Sequence, residues 1–198
     1  MNDFFQVFGL ERRLAVDTTA LQRRFYELSR QWHPDFHQAR PPVEQARALE
    51  ESARVNAAYR ALRDPIARVE YLIRLEEGRE TREGAAVKPK APPDLLAEMF
   101  EIQESLEEAR AGRLDHTTRA ALSEQRDALR ARMTDAERQL AGPLSQAWDA
   151  AAPGARATAL HALKEALATR AYLRTVIDDL TAALDEGHEE THVANRRD

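Results

Sequence analysis

With 198 residues, 43% of them hydrophobic, the chain can bury one small core in each of two domains. A formal net charge of −5, with arginines interspersed among acids, excludes the long basic stripe of a non-specific nucleic-acid binder, and the absence of cysteine excludes disulfides and thiolate ligation of zinc or a cluster. No stretch approaches the ~20 apolar residues of a membrane span, and the amino terminus has no signal-peptide profile.

The first clear periodicity begins at Leu21. Leu21, Phe25, Leu28 and Trp32 fall on one stripe of an amphipathic helix. At about 100° per residue, Arg23 and Arg30 lie almost opposite that stripe and Arg24 on its flank, so one face is buried and another is cationic. His33-Pro34-Asp35 closes the segment. Proline disfavours helical geometry at the residue before it, which ends the helix near Trp32 and presents an imidazole and a carboxylate side by side at a helix–loop junction. A second helix is expected from about Glu44 to Arg63, with Leu49 (or Ala48), Ser52, Val55, Tyr59 and Leu62 facing inward. The two helices pair antiparallel across the loop 34–43, which Pro41-Pro42 helps keep out of helix.

After Leu75 the composition changes. Residues 76–84 are polar and punctuated by glycine, and Lys88-Pro89-Lys90-Ala91-Pro92-Pro93 is stiff, as an interdomain connection is. Asp94 makes an N-cap, and helical periodicity then runs to about Leu184. Breaks at Gly112 and Gly142-Pro143, with Pro153-Gly154 as a third, predict about three helices. On the first of them Leu95, Met99, Ile102, Leu106 and Ala109 share a core face. Leu96 and Phe100 lie some 100–140° round from Leu95, beside Glu101, Glu104, Glu107 and Glu108. Such a second apolar pair ringed by carboxylates suits a partner surface; a core wide enough to take in Phe100 is the competing reading.

The order Asp3-Phe4-Phe5, Phe8-Gly9-Leu10, basic helix, His33-Pro34-Asp35, then Val55-Asn56, Tyr59, Leu62, Asp64-Pro65, Arg68 and Tyr71 resembles a J-domain, the module by which DnaJ-type co-chaperones act on DnaK-class chaperones. Phe36 is a departure, since many J-domains carry lysine there; it is expected to tune affinity or partner choice. A J-domain followed by a short helical bundle, with no glycine/phenylalanine-rich tract and no zinc repeat, is similar to HscB, the co-chaperone of iron–sulfur cluster assembly. The similarity is looser between Asp149 and Arg170, where the chain carries extra residues. The expected architecture is all-α: a J-domain over residues 1–76, a linker at 77–93, a three-helix bundle at 94–186 and a disordered tail at 187–198.

The resemblance implies two binding surfaces and no cofactor. His33, Pro34, Asp35, Arg23, Arg24 and Arg30 would meet an HscA-like, DnaK-class chaperone and stimulate its ATPase. Leu96, Phe100, Glu101 and Glu104 would engage an IscU-like cluster scaffold protein. Tyr172 aligns with a family aromatic on the same patch, a core tyrosine with a bonded hydroxyl being the alternative. A non-enzymatic protein of the bacterial cytoplasm is expected, because the amino-terminal cysteine pairs and targeting peptide of mitochondrial relatives are missing. Two other readings stay open: a J-protein for a different client, and a metal-dependent hydrolase using His188-Glu189-Glu190-Thr191-His192. The latter string matches H-E-x-x-H, but follows Gly187 in a polar tail with no histidine or glutamate downstream to complete the site. A metal cluster of His33, Asp35 and His37 is disfavoured by Pro34 and the lack of a further acid nearby.

Overall fold

The computed structural model describes residues 3–78, 98, 100–104, 107 and 115–194, with side chains through Asp185. All regular structure among these residues is helical. The linker and residues Asp94, Leu95, Met99, Leu106, Ala109 and Gly112 lie outside the described residues, apart from the linker's first two positions.

Short α1 (Phe4–Val7) is closed by a capping box: Asp3 Oδ1 accepts the Gln6 N–H at 3.0 Å, and Gln6 Oε1 accepts the Asp3 N–H at 3.2 Å. Phe4 stacks on Tyr71 at 4.6 Å between centroids, and the Tyr71 hydroxyl accepts the Phe4 N–H at 2.7 Å. A loop then leads to α2 (Thr18–Gln31), whose N-cap Asp17 accepts from Thr19 and Ala20. Leu21 and Leu28 are buried, and Phe25 stacks on Tyr59 at 4.0 Å. Trp32 caps the far end, immediately before the His-Pro dipeptide.

The loop after α2 is more ordered than its composition suggests. Pro34–His37 is a 3-10 turn. Pro41 and Pro42 start α3 (Pro42–Arg63), because a first-turn proline gives up an N–H that has no partner anyway and brings φ already set for helix. Along α3, Ala48, Val55 and Leu62 recur every seven residues and are buried, whereas Leu49, one step round, is 61% exposed. Asp64 ends α3 in extended geometry and N-caps α4 (Pro65–Glu76), accepting the Ala67 N–H at 2.8 Å. Helices α1, α2 and α4 and the 3-10 turn all pack on α3.

Arg68 joins these pieces while 4% exposed. Its Nε donates to the Leu62 carbonyl at 2.7 Å, its Nη2 to Arg63 O at 3.5 Å and its Nη1 to the Leu14 carbonyl. A guanidinium thus satisfies carbonyls left open at the end of α3 and pins a distant loop. Burial lowers its pKa, opposed by Asp64 and Asp149.

In the second half, α5 (His116–Gln139) starts at Asp115, which accepts the Thr118 N–H at 2.7 Å; that bond leads in holding its carboxyl below the usual value. The expected break at Gly142-Pro143 is instead a π-helical turn (Leu140–Leu144) that passes directly into α6 (Ser145–Ala150). Pro143 has no N–H, and its ring would strike the carbonyl one turn back; the wider turn relieves both problems. Ser145 Oγ donates to the Leu140 carbonyl. The chain breaks only after Ala150, where a 3-10 turn (Pro153–Ala155) leads into α7 (Arg156–Ala194). The residues around Pro153 therefore form a short connection, and α7 is helical through positions 187–194, where the sequence pattern predicts a tail.

The contacts divide the chain into two units, and Leu140–Leu163 falls with the amino-terminal one. Its core holds Phe5, Leu21, Val55, Leu62, Leu72, Leu140, Trp148 and Leu163. The other unit is built on Ile102, on Leu122 and Leu129 of α5, and on Leu173, Val176, Ile177, Leu180, Ala183 and Leu184 of α7. Three helical stretches share that core, clasped by Arg132–Glu98 at 2.6 Å and Arg170–Glu137 at 2.8 Å.

Candidate functional site

The first candidate surface is assembled at the carboxy end of α2. His33 N-caps the 3-10 turn: its Nδ1 accepts the Asp35 N–H at 3.3 Å and lies 3.6 Å from Asp35 Oδ2. Pro34 takes the first position of the turn, and Gln38 Nε2 donates to Asp35 Oδ1 at 3.3 Å. The carboxylate is thereby oriented by its neighbours while its side chain remains 69% exposed. Below it, His37 stacks on Trp32 at 6.1 Å and its Nε2 donates to the Gln31 carbonyl at 3.0 Å, so the turn is tied back to the helix. Arg47 of α3 lies over the other ring, 5.7 Å from the Trp32 centroid. Arg47 was missed in the sequence, because which indole a helical arginine covers depends on how two helices pair.

Arg23, Arg24 and Arg30 are all exposed on α2. Arg24 pairs with Glu27 at 2.8 Å, an exposed contact one turn along that contributes little energy. Arg23 and Arg30 have no ion-pair partner among the described residues. Phe36, edge-on to His33 at 5.9 Å, is 66% exposed and adds an apolar corner beside the carboxylate. Among the described residues no three His, Asp or Glu side chains gather as a metal site.

The second candidate surface lies in the other unit. Ile102 is 2% exposed and Phe100, two residues earlier and thus about 200° away round a helix, is 69% exposed. The core does not take in Phe100. Glu101, Glu104 and Glu107 are exposed as well. Leu96 lies outside the described residues. Tyr172 is half-buried against the core, and its hydroxyl is buried with no hydrogen-bond partner among the described residues. Burial, with Glu98 adding to it, raises the pKa of that phenol. Tyr172 thus packs against the core cluster, and among the described residues its hydroxyl lacks the bonded partner expected of a core tyrosine. The side chains of His188, Glu189 and His192 lie outside the described residues.

Two family models match the chain, the DnaJ domain over residues 3–71 and the HSCB C-terminal oligomerisation domain over residues 91–158. Human co-chaperone protein HscB is similar in structure, with 25% sequence identity, a TM-score of 0.61, and coverage of 92% of this chain and 82% of that one. The chaperone HscB from Vibrio cholerae is similar at 28% identity and a TM-score of 0.54, covering 90% of this chain and 99% of that one. No helix among the described residues is long and apolar enough to cross a membrane. A J-domain carrying an exposed His-Pro-Asp turn, followed on the same chain by the HscB carboxy-terminal module, makes this protein a member of the HscB family of J-domain co-chaperones.

Proposed function

We propose that the chain stimulates the ATPase of an HscA-like, DnaK-class chaperone and delivers to it an IscU-like iron–sulfur cluster scaffold protein. The observation that carries this reading is the Asp35 carboxylate, solvent-facing yet oriented by His33 and Gln38 at the tip of a helix with an arginine face. That face approaches an acidic surface on the chaperone and speeds docking, so association weakens as salt rises. Asp35 then accepts from a cationic side chain that otherwise holds the chaperone in its slow-hydrolysing state. Phe100, with Leu96, supplies the apolar anchor for the scaffold; Glu101 and Glu104 favour a basic rim, and Tyr172 supports the patch from the core side. The chain performs no chemistry of its own.

The test is Asp35→Ala in a steady-state ATPase assay of the chaperone. Removing one partner of a desolvated charge pair costs about 2–5 kcal/mol, so stimulation falls by roughly thirtyfold or more while the circular-dichroism melt is unchanged. Stimulation equal to wild type overturns the assignment. For the client, Phe100→Ala weakens scaffold binding about ten- to a hundredfold by calorimetry. An unaltered scaffold affinity would shift the reading to a J-protein serving another client.

A further inference from the structure

Leu14 lies in the loop between α1 and α2, and its peptide group is held from both ends. Its N–H donates to Asp149 Oδ1 at 2.8 Å, and the next N–H, of Ala15, donates to Asp149 Oδ2 at 2.8 Å. Its carbonyl accepts from the buried guanidinium of Arg68. One carboxylate gripping two consecutive amides is a charge-assisted arrangement, the stronger class of hydrogen bond. The carboxylate is also delivered firmly. Asp149 follows Trp148, which is 2% exposed, and Arg156 lies over that indole, 5.3 Å from its centroid.

Nearer α1 the loop is tied by Arg12, whose Nε donates to the buried Asp3 carboxylate at 2.6 Å, which leaves the stretch next to α2 to the Asp149 and Arg68 contacts. Glu11, Arg12, Arg13, Ala15 and Asp17 are exposed, and Leu14 is its one buried side chain. Asp17 caps the first turn of α2, which fixes where the helix begins but not the path by which the chain arrives. That path is set at Leu14 and Ala15, three residues before the helix whose exposed side carries Arg23, Arg24 and Arg30.

We propose that Asp149 is a positioning residue for the chaperone-facing side of α2: by gripping the Leu14 and Ala15 amides it fixes the loop from which α2 departs, and so the placement of the arginine face. This rests on the function proposed above. It makes a residue from the second half of the chain part of the working J-domain.

The experiment compares full-length Asp149→Asn and Asp149→Ala with wild type in two measurements, amide hydrogen exchange and chaperone ATPase stimulation over a range of co-chaperone concentrations. Exchange at Leu14 and Ala15 is expected to rise roughly tenfold or more. The co-chaperone concentration for half-maximal stimulation rises about three- to tenfold, more for Ala than for Asn, with the maximal rate kept because Asp35 is intact. Leu180→Ala, in the core of the other unit, controls for lost stability and leaves that concentration unchanged; an equal rise there overturns the positioning role. If Asp149→Ala does not fold, the isosteric Asn variant carries the comparison. A wild type that stimulates and Asp149 variants that match it, or exchange at the two amides that does not change, overturn this inference alone. A wild type that stimulates no DnaK-class chaperone overturns the functional reading and this inference with it.

Discussion

Single side chains here do work that their type does not announce. Arg68 is an arginine in an amphipathic helix, yet it closes the end of α3 and anchors the loop at Leu14. Arg68→Met keeps most of the volume but leaves the Leu62 and Leu14 carbonyls without their donor. The expected loss is about 2–4 kcal/mol, read as a lower urea midpoint at unchanged slope. The two tyrosines with displaced pKa values give a pH dependence. Tyr71 is raised above its ordinary 10.0 by burial, with the Phe4 N–H pulling the other way, and Tyr172 is raised by burial and then by Glu98. A raised phenol pKa means that the folded state holds its proton longer than the unfolded chain does. That stability is fully present below pH ~10 and is lost as pH climbs through the folded values. Thermal melts between pH 8 and 11 should therefore fall on the alkaline side, with less of a fall in Tyr172→Phe.

At the scale of elements, phase decides. Leu49 and Ala48 were both candidates for the inner face of α3, and the larger residue is the one left outside. Hydrophobicity alone favoured leucine, but the sevenfold register with Val55 and Leu62 runs through Ala48. Ala48→Leu is accordingly expected to cost about 1–3 kcal/mol by overpacking a fully buried site. Leu49→Ser should stay within about 0.5 kcal/mol, and paired denaturation curves of the two variants check the assignment. The π turn at Leu140–Leu144 makes the same point. Glycine followed by proline reads as a stop, but a single widened turn lets the helix continue. Relative to an unbroken α-helix, the turn offsets the residues of α6 by about one position, or about 100°. In this phase Trp148 is buried and Asp149 reaches the loop.

At the scale of the molecule, the proposed activity depends on having both surfaces on one chain. Tethering raises the effective concentration of the client at the chaperone, a gain that separate molecules do not share. An equimolar mixture of Asp35→Ala and Phe100→Ala proteins should therefore fail to restore the scaffold-enhanced ATPase rate of wild type; recovery in the mixture would show that the surfaces act independently. Removing residues 187–198 is expected to leave both ATPase stimulation and scaffold binding within about twofold, since no residue proposed for either surface falls in that segment. A loss of activity on that deletion would revive the reading based on His188 and His192.

The all-helical class, the end of α2 at Trp32, the exposed arginine face and the turn carrying Asp35 were legible in the order of residues, because each is set by spacing over a few positions and by the geometry proline imposes. The continuity of helix through Pro143, the surroundings of the Tyr172 hydroxyl and the reach of Asp149 to Leu14 were not. Each depends on where residues far apart in sequence come to lie (135 positions in the last case), and no local pattern encodes such a meeting. Periodicity states which face of a helix wants to be covered; only packing states what covers it.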